Sequence, residues 1–160
     1  MNTEFCYAGA PEREPYHYKM CGLDDIYLVN GYEFADTDYG RGVVIQDLDR
    51  LHRAIGEHLA GSKKALTPKE LRFLRHEMDL TQAQMGDLLR VTDQTVARWE
   101  KGECDIPGPA EMLVRMLYLE HVSKRVDVRQ LAEYLRSVDA PATDKQLFEP
   151  TDEGWQAIAA

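Results

Sequence analysis

The polar side chains of residues 93–101 have the types and spacing of a surface that reads DNA bases. In the sequence DQTVARWEK, Gln94, Arg98 and Lys101 follow one another at i, i+4 and i+7, which places them on one face of a helix. Glutamine can form two hydrogen bonds with adenine, and arginine can do the same with guanine, each pair giving roughly 1–3 kcal/mol of discrimination. The alternative is an ordinary helical hairpin whose polar face contacts only water.

Two short helices joined by a tight turn are predicted to present this face. Thr81 and Gln84 fit the S/T-x-x-E/Q capping box, so the first helix is expected to begin at Gln82. Thr92 is a suitable N-cap for the second helix, and Gly102 suits a left-handed residue at its end. The spacing predicts that these apolar residues are buried: Met85, Leu88, Leu89, Val96 and Trp99. Gly86 is expected where the two helices cross closely.

The segment TQAQMGDLLRVTDQTVARWEKG, residues 81–102, resembles the DNA-binding core of the Xre/Cro-type repressors. The resemblance implies a compact bundle of about five helices. It also implies that Gln82 contacts a phosphate and that Glu100 has a structural role. The expected base-reading residues are Asp93, Gln94, Thr95 and Arg98, and the expected phosphate contacts are Gln82, Thr92, Lys101 and Arg90. Arg90 departs from the pattern, because the family usually has glycine in this turn; either the arginine accepts strain or the turn differs.

Neighbouring helices are predicted to complete an all-α domain over residues 62–138. Thr67 and Glu70 form a second capping box, with Pro68 at the first helical position. Further helices are expected after Gly108 and after Asp127. The predicted core positions of these helices are Leu71, Leu74, Met78, Met112, Leu113, Met116, Leu117, Val128, Leu131, Ala132 and Leu135. Residues 62–64, with two lysines, read as a short basic linker.

Residues 1–61 have a different pattern, which predicts a small α+β domain with a short antiparallel sheet and one helix. Asn30-Gly31 is a strong hairpin signal. The expected strands are residues 16–20, 25–29, 32–34 and 43–45, with a turn at 40–42 and an amphipathic helix over 48–61. Residues 139–160 are predicted to be a flexible tail, in which packing is the favoured role of Trp155.

Catalytic and metal chemistry find little support in this part of the chain. The possible metal ligands are Cys6, His17, Cys21, His52 and His58, but no C-x-x-C pair is present and no structural zinc spacing fits. No nucleophile with a supporting base and no phosphate-binding glycine loop is evident. We therefore expect no enzyme activity, no metal site and no cofactor.

The segment YHYKMCGLDDIYLVNGYEF, followed by an Xre-type domain, is similar to the MqsA (YgiT) family of antitoxins and related regulators. In that family a small N-terminal domain precedes a helix-turn-helix domain that forms the dimer and binds DNA. Its better-known members hold zinc through paired C-x-x-C motifs and use that domain to bind a toxin. This chain lacks those pairs, so the resemblance implies a zinc-free branch. Gln94 and Arg98 match the family's base-reading Asn/Arg pair, with Gln replacing Asn.

The charge distribution leaves two roles open for the N-terminal part. The 160-residue chain has a net charge of −9, and residues 1–61 carry eleven carboxylates against five Lys and Arg side chains. This acidic segment is either a soluble surface or a docking surface for a basic protein such as a toxin. The cations expected to form a local phosphate-binding face are Lys63, Lys64, Arg72, Arg75, Arg90, Arg98 and Lys101.

No apolar run is long enough to span a membrane, the polar N-terminus does not resemble a signal peptide, and three scattered cysteines favour a reduced, cytoplasmic protein. The sequence thus predicts a transcriptional repressor that binds a palindromic double-stranded operator and autoregulates its operon, and the resemblance implies a role as the antitoxin of a toxin–antitoxin pair. The resemblance implies a homodimer, with residues 117–122 and the helix after Asp127 as the candidate contacts. The alternative is an interaction or ligand-sensing module in which the helical bundle mainly dimerises.

Overall fold

The structure is a computed structural model that describes residues 14–138 and 145–159 and has an α+β fold. Six strands and six helices lie in these ranges. They are β1 (Tyr16–His17), β2 (Ile26–Leu28), β3 (Tyr32–Thr37), β4 (Gly40–Ile45), α1 (Leu48–Gly61), α2 (Pro68–Glu77), α3 (Gln82–Leu89), α4 (Asp93–Lys101), α5 (Gly108–His121), α6 (Val128–Ser137), β5 (Gln146–Thr151) and β6 (Gly154–Ile158). None of the helices in these ranges has the length and apolar character needed to cross a membrane.

The main sheet joins strands from both ends of the chain. Its order is β1-β2-β5-β6, with β1 antiparallel to β2, β2 parallel to β5, and β6 antiparallel to β5. Leu28 lies opposite Phe148, and both side chains are fully buried. The sheet is therefore mixed, whereas the sequence predicted an antiparallel sheet confined to the N-terminal part.

The expectation of a flexible tail over residues 139–160 is wrong for residues 146–158, which form β5 and β6. Residues 139–144 and 160 lie outside the described residues. The tail is ordered because Phe148 fills the core and the Trp155 indole, 8% exposed, donates a hydrogen bond to the Gln46 carbonyl at 2.9 Å. Pro150 is tolerated in β5 because β2 pairs only with residues 146–148, so no bond to β2 requires its missing N–H.

The hairpin predicted at Asn30-Gly31 is also absent. β2 and β3 belong to different sheets, and β3 pairs instead with β4, with Tyr32 opposite Ile45. Gly31 has φ +80°, and a Cβ there would lie 2.7 Å from the Trp155 ring. The three-residue link between β2 and β3 is thus shaped by its contact with β6. The segment 40–42, predicted as a turn, belongs to β4.

A continuous core extends across the predicted domain boundary at residues 61–62. α1 packs against both α2 and α5, and the Tyr118 ring of α5 occupies the space that a side chain at Gly56 would need. Arg115, fully buried, donates hydrogen bonds to the carbonyls of Leu59 and Lys64. The bond to Leu59 satisfies a backbone acceptor in the last turn of α1, and the bond to Lys64 fixes the segment that follows it.

Several predicted core positions are displaced. α5 buries Val114 and Tyr118, because these side chains face α1, and leaves the predicted set only half-buried: Met112, Leu113, Met116 and Leu117. Leu88, predicted to be buried, is 48% exposed. Leu71, Leu74, Met78, Met85, Leu89, Val96 and Trp99 are buried as predicted.

α6 differs most from its prediction. Asp127 caps it through a hydrogen bond from the Gln130 N–H, as the sequence indicated. However, none of its side chains is buried, so the prediction that Val128, Leu131, Ala132 and Leu135 lie inside is wrong. Leu131 and Leu135 are half-buried and Val128 is 44% exposed. α6 therefore contacts the core through Leu131 and leaves the rest of its apolar face partly or fully exposed.

Candidate nucleic-acid interface

Capping fixes the start of both helices around the turn. Thr81 Oγ1 accepts a hydrogen bond from the Gln84 N–H at 3.1 Å, and the Gln84 side chain accepts one from the Thr81 N–H at 2.9 Å. Thr92 Oγ1 accepts from the Thr95 N–H at 3.2 Å. Each cap satisfies backbone N–H groups that the helix leaves unpaired, so the predicted starts of α3 and α4 are confirmed.

The turn between α3 and α4 allows the two helices to approach closely. A Cβ at Gly86 would lie 2.7 Å from the Val91 carbonyl oxygen, so only glycine fits there without a shift of the turn. Arg90 adopts the left-handed conformation, with φ 63° and ψ 37°. Arg90 thus adopts a conformation that glycine takes readily, at the cost that a Cβ incurs in this region.

α4 separates a buried face from an exposed one. Val96 is fully buried and Trp99 is 5% exposed, and these two side chains anchor the helix in the core. Gly102 ends it with φ 73°. The exposed side chains are Asp93, Gln94, Arg98 and Lys101, while Thr95 and Ala97 are half-buried. Three side chains at i, i+4 and i+7 therefore form a polar stripe on a fixed helix.

Two of the predicted base-reading residues also have capping roles. The Thr95 hydroxyl lies 2.9 Å from Thr92 Oγ1, and Asp93 Oδ1 accepts a hydrogen bond from the Gln94 N–H at 2.8 Å. Gln94 and Arg98 have no such side-chain contact among the described residues. The side chains with most freedom to meet a partner are therefore Gln94 and Arg98.

A buried ion pair connects α4 to α2 and α3. Arg75 donates to both carboxylate oxygens of Glu100, at 2.5 and 3.0 Å, and to the Leu80 carbonyl at 2.8 Å. Gln82 Nε2 donates to Glu100 at 2.9 Å. Burial acts to raise the pKa of Glu100, but the hydrogen bonds from Arg75 and Gln82 outweigh it and lower that pKa. The structural role expected for Glu100 is thus observed.

The same network orients Gln82, the predicted phosphate contact at the start of α3. One amide hydrogen is held by Glu100, which leaves the second for another acceptor. Thr92 uses its oxygen as the α4 cap, whereas Arg90 and Lys101 are exposed. The four predicted phosphate contacts lie on or between the two helices. Gln82 begins α3, Arg90 and Thr92 lie in the turn, and Lys101 ends α4.

Two predicted members of the basic face do not belong to it. Arg75 is buried with Glu100, and Lys63 is buried in an ion pair with Glu70. Their cations are neutralised and turned away from solvent. The exposed members are Lys64, Arg72, Arg90, Arg98 and Lys101. The sequence analysis did not identify Arg75 as the partner of Glu100. The available signal was the position of Glu100 next to the core residue Trp99, because a carboxylate buried there needs a cation beside it.

A second polar network joins the N-terminal sheet to α2. The Tyr18 hydroxyl lies 2.8 Å from His52 Nε2, and His52 Nδ1 lies 3.1 Å from Glu77. Burial, with smaller contributions from nearby acidic groups, raises the pKa of Tyr18 to about 12, so the phenol stays protonated at neutral pH. Nothing in the sequence spacing indicated this contact, because Tyr18 follows β1 while His52 lies on α1 and Glu77 on α2.

The other potential metal ligands are dispersed. His17 contacts the Asp24 carbonyl, and the His58 ring packs edge-on against Phe148. Cys21 is half-buried, and Cys6 lies outside the described residues.

Comparison of the chain with protein-family models, curated proteins and solved structures gives no significant match.

Proposed function

We propose that the chain is a sequence-specific DNA-binding transcriptional repressor that inserts α4 into the major groove. The observation that carries this proposal is the polar stripe of Gln94, Arg98 and Lys101 on a helix held by Val96 and Trp99. A recognition helix needs this combination, because its outer side chains must reach bases while its inner face fixes the angle of entry.

The proposed contacts follow from the chemistry of each side chain. Gln94 pairs with adenine and Arg98 with guanine, each through two hydrogen bonds. Asp93 and Thr95 contact base edges from the first turn of α4. Gln82, Arg90, Thr92 and Lys101 bind phosphates at the groove edge. The left-handed turn at Arg90 directs its exposed side chain away from the core, where a phosphate can be reached.

The operator is proposed to be palindromic and bound by a homodimer. Two reading helices spaced one helical turn of DNA apart provide the affinity that a single α4 with few base contacts lacks. The partly exposed apolar face of α6 supports self-association, because a ten-residue helix with no fully buried side chain gains little stability from its own packing.

The most direct test is a gel shift on the DNA upstream of the chain's own gene, with a footprint to locate the site. Gln94→Ala and Arg98→Ala should each weaken specific binding about 5- to 150-fold, as expected for the loss of roughly 1–3 kcal/mol. Arg50→Ala is the matched control, because this exposed arginine lies on α1 and should leave binding unchanged. Unchanged binding by the Gln94→Ala/Arg98→Ala double variant would overturn the assignment of α4.

Autoregulation and an antitoxin role are proposed from the acidic N-terminal segment and the family resemblance. A basic toxin would dock on this segment through charge complementarity. The informative observation is whether an adjacent gene encodes a small basic protein that is harmful alone and neutralised by co-expression of this chain.

The second candidate function is an interaction module whose bundle mainly dimerises. It is favoured by the exposed α6, and a dimer that binds no DNA would select it.

A further inference from the structure

A cavity of about 440 Å³ lies where the loop after β1 meets α1 and α2. Its volume is within the range of small-molecule sites, which is about 300–1,000 Å³. None of the residues proposed to contact DNA lines it. The lining consists of residues 20–22 of the loop, His52 of α1 and these side chains of α2: Lys69, Arg72, Phe73, His76 and Glu77.

α2 presents three nitrogen-bearing side chains to this cavity. Lys69, Arg72 and His76 follow one another at i, i+3 and i+7, so they lie on one face of the helix, and all three are exposed. A guanidinium group beside further N–H donors in a concave surface is typical of sites that bind a carboxylate. Which of these cations can serve a ligand depends on the partners that they already have.

The carboxylates next to the cavity already have nitrogen partners. Both oxygens of Asp24 accept hydrogen bonds from Lys69 Nζ, at 3.0 and 2.8 Å. Glu77 Oε1 lies 3.1 Å from His52 Nδ1. The charge of Lys69 is therefore matched within the chain, and Glu77 is held against His52 on the side of α1.

Arg72 is the cation of this cavity that retains free hydrogen-bond donors. Its Nε donates to His76 Nε2 at 3.4 Å, and the same ring nitrogen lies 3.4 Å from Arg75 Nη2. Arg75 has Glu100 as its counter-charge, whereas no ion pair of the described residues includes Arg72. The two terminal nitrogens of Arg72 are thus available to bind both oxygens of one carboxylate.

The rest of the lining is apolar and indicates the remainder of the ligand. Phe73 is 5% exposed, and Met20 is 77% exposed at the edge of the cavity. Burial raises the pKa of the Cys21 thiol, so this side chain is uncharged at neutral pH. A methionine changes rotamer easily and can cover an apolar group beside it. This lining favours a carboxylate on a compact apolar body over a small, highly charged anion.

We propose that this cavity binds a small organic acid, whose carboxylate pairs with Arg72 and whose apolar body contacts Phe73 and Met20. The ligand supplies a counter-charge for Arg72 that the described part of the chain does not provide. Because the site uses no residue of α4, it is a second binding function beyond the proposed recognition of DNA.

Calorimetric titration of the full-length chain with benzoate tests the site at neutral pH and low salt, without DNA. Benzoate should bind with a Kd on the order of 1 mM. Acetate, which lacks the apolar body, and benzyl alcohol, which lacks the charge, should each bind at least about fivefold more weakly. Arg72→Gln should weaken benzoate binding at least about fivefold. Arg129→Gln is the matched control, because this exposed arginine of α6 lies outside the cavity.

Nuclear magnetic resonance locates the ligand on the same proteins. Benzoate should shift the amide signals of residues 20–22 and 69–77, and Arg72→Gln, with unchanged circular dichroism, should lose these shifts. Full benzoate affinity in Arg72→Gln, no binding up to about 10 mM benzoate, or tighter binding of inorganic phosphate than of benzoate would each overturn the proposal. None of these results bears on the operator, which the gel shift tests separately.

Discussion

At the scale of single residues, the side chains that matter most are those that hold α4. Glu100 is 4% exposed and Arg75 8%, so their ion pair is formed largely out of contact with water. Such a pair adds little over an apolar contact of the same shape, but losing one partner leaves the other charge buried. Its main effect is to fix the relative positions of α2, α3 and α4.

Replacing Glu100 should therefore be costly. We expect Glu100→Gln to lower the free energy of unfolding by about 3–5 kcal/mol, because Arg75 stays buried without its counter-charge. Urea denaturation followed by tryptophan fluorescence measures the change. Glu103→Gln is the control, because that carboxylate is exposed. Equal stability of the two variants would contradict the importance of the buried pair.

The lowered pKa of Glu100 also predicts how stability depends on pH. Its contribution is fully present above the ordinary value of 4.5 and is lost as the pH falls through the lower pKa of the folded state. The wild type should thus lose stability below about pH 4.5, and this loss should be smaller in Glu100→Gln. Thermal unfolding scans of both proteins between pH 3 and pH 7 measure this difference. If stability fell equally in the two proteins, the Glu100 carboxylate would not contribute to the pH dependence.

Gly86 gives a residue-scale test of the turn. In Gly86→Ala the new Cβ would lie 2.7 Å from the Val91 carbonyl, so the turn must shift. We expect a destabilisation of about 1–3 kcal/mol together with weaker operator binding. Gly61→Ala is the control, because nothing lies within 4 Å of its Cβ position. Full operator affinity in Gly86→Ala would mean that the angle between α3 and α4 is not critical.

At the scale of elements, local signals and long-range contacts differ in how well the sequence revealed them. Capping boxes at Thr67 and Thr81 gave the starts of α2 and α3, because a cap depends on residues three positions apart. The pairing of β2 with β5 gave no such signal, since Leu28 and Phe148 meet only in the folded chain. The two prolines and scattered charge of residues 139–160 suggested disorder, although Pro150 occupies a tolerated edge position.

The β5–β6 hairpin should consequently carry much of the stability. We expect Phe148→Ala to cost about 3–5 kcal/mol, because the fully buried ring leaves a cavity that the sheet and α1 cannot fill. Tyr39→Ala, at a fully exposed position, should change stability by less than about 0.5 kcal/mol. Chemical denaturation of both variants distinguishes them, and near-neutral behaviour of Phe148→Ala would restore the flexible-tail interpretation.

At the scale of the whole molecule, the charge distribution sets how the chain would approach DNA. A net charge of −9 disfavours non-specific attraction, and burial of Arg75 and Lys63 reduces the cationic surface further. Under the proposed function, phosphate binding would depend on a few exposed cations near α4. Selectivity should then come mainly from base contacts and operator geometry.

This leads to a shallow salt dependence. If Arg90 and Lys101 each neutralise one phosphate per protomer, the dimer should show a slope of log K against log salt near about −3.6. Lys101→Ala should reduce the slope by about 2 in the dimer while leaving sequence preference intact. Fluorescence anisotropy between low and physiological salt measures both values. A slope twice as steep would reveal cations of the chain that this interface omits.

The parallel pairing of β2 with β5 has a consequence for how the molecule is made. The ribosome synthesises α3 and α4 well before residues 146–158. β1 and β2 therefore lack their partner strands β5 and β6 while most of the chain is synthesised. Non-local strand pairing of this kind is slow and leaves apolar edges exposed during folding. A nascent chain therefore acquires α4 early and its complete sheet last, and chaperone demand should concentrate in that interval.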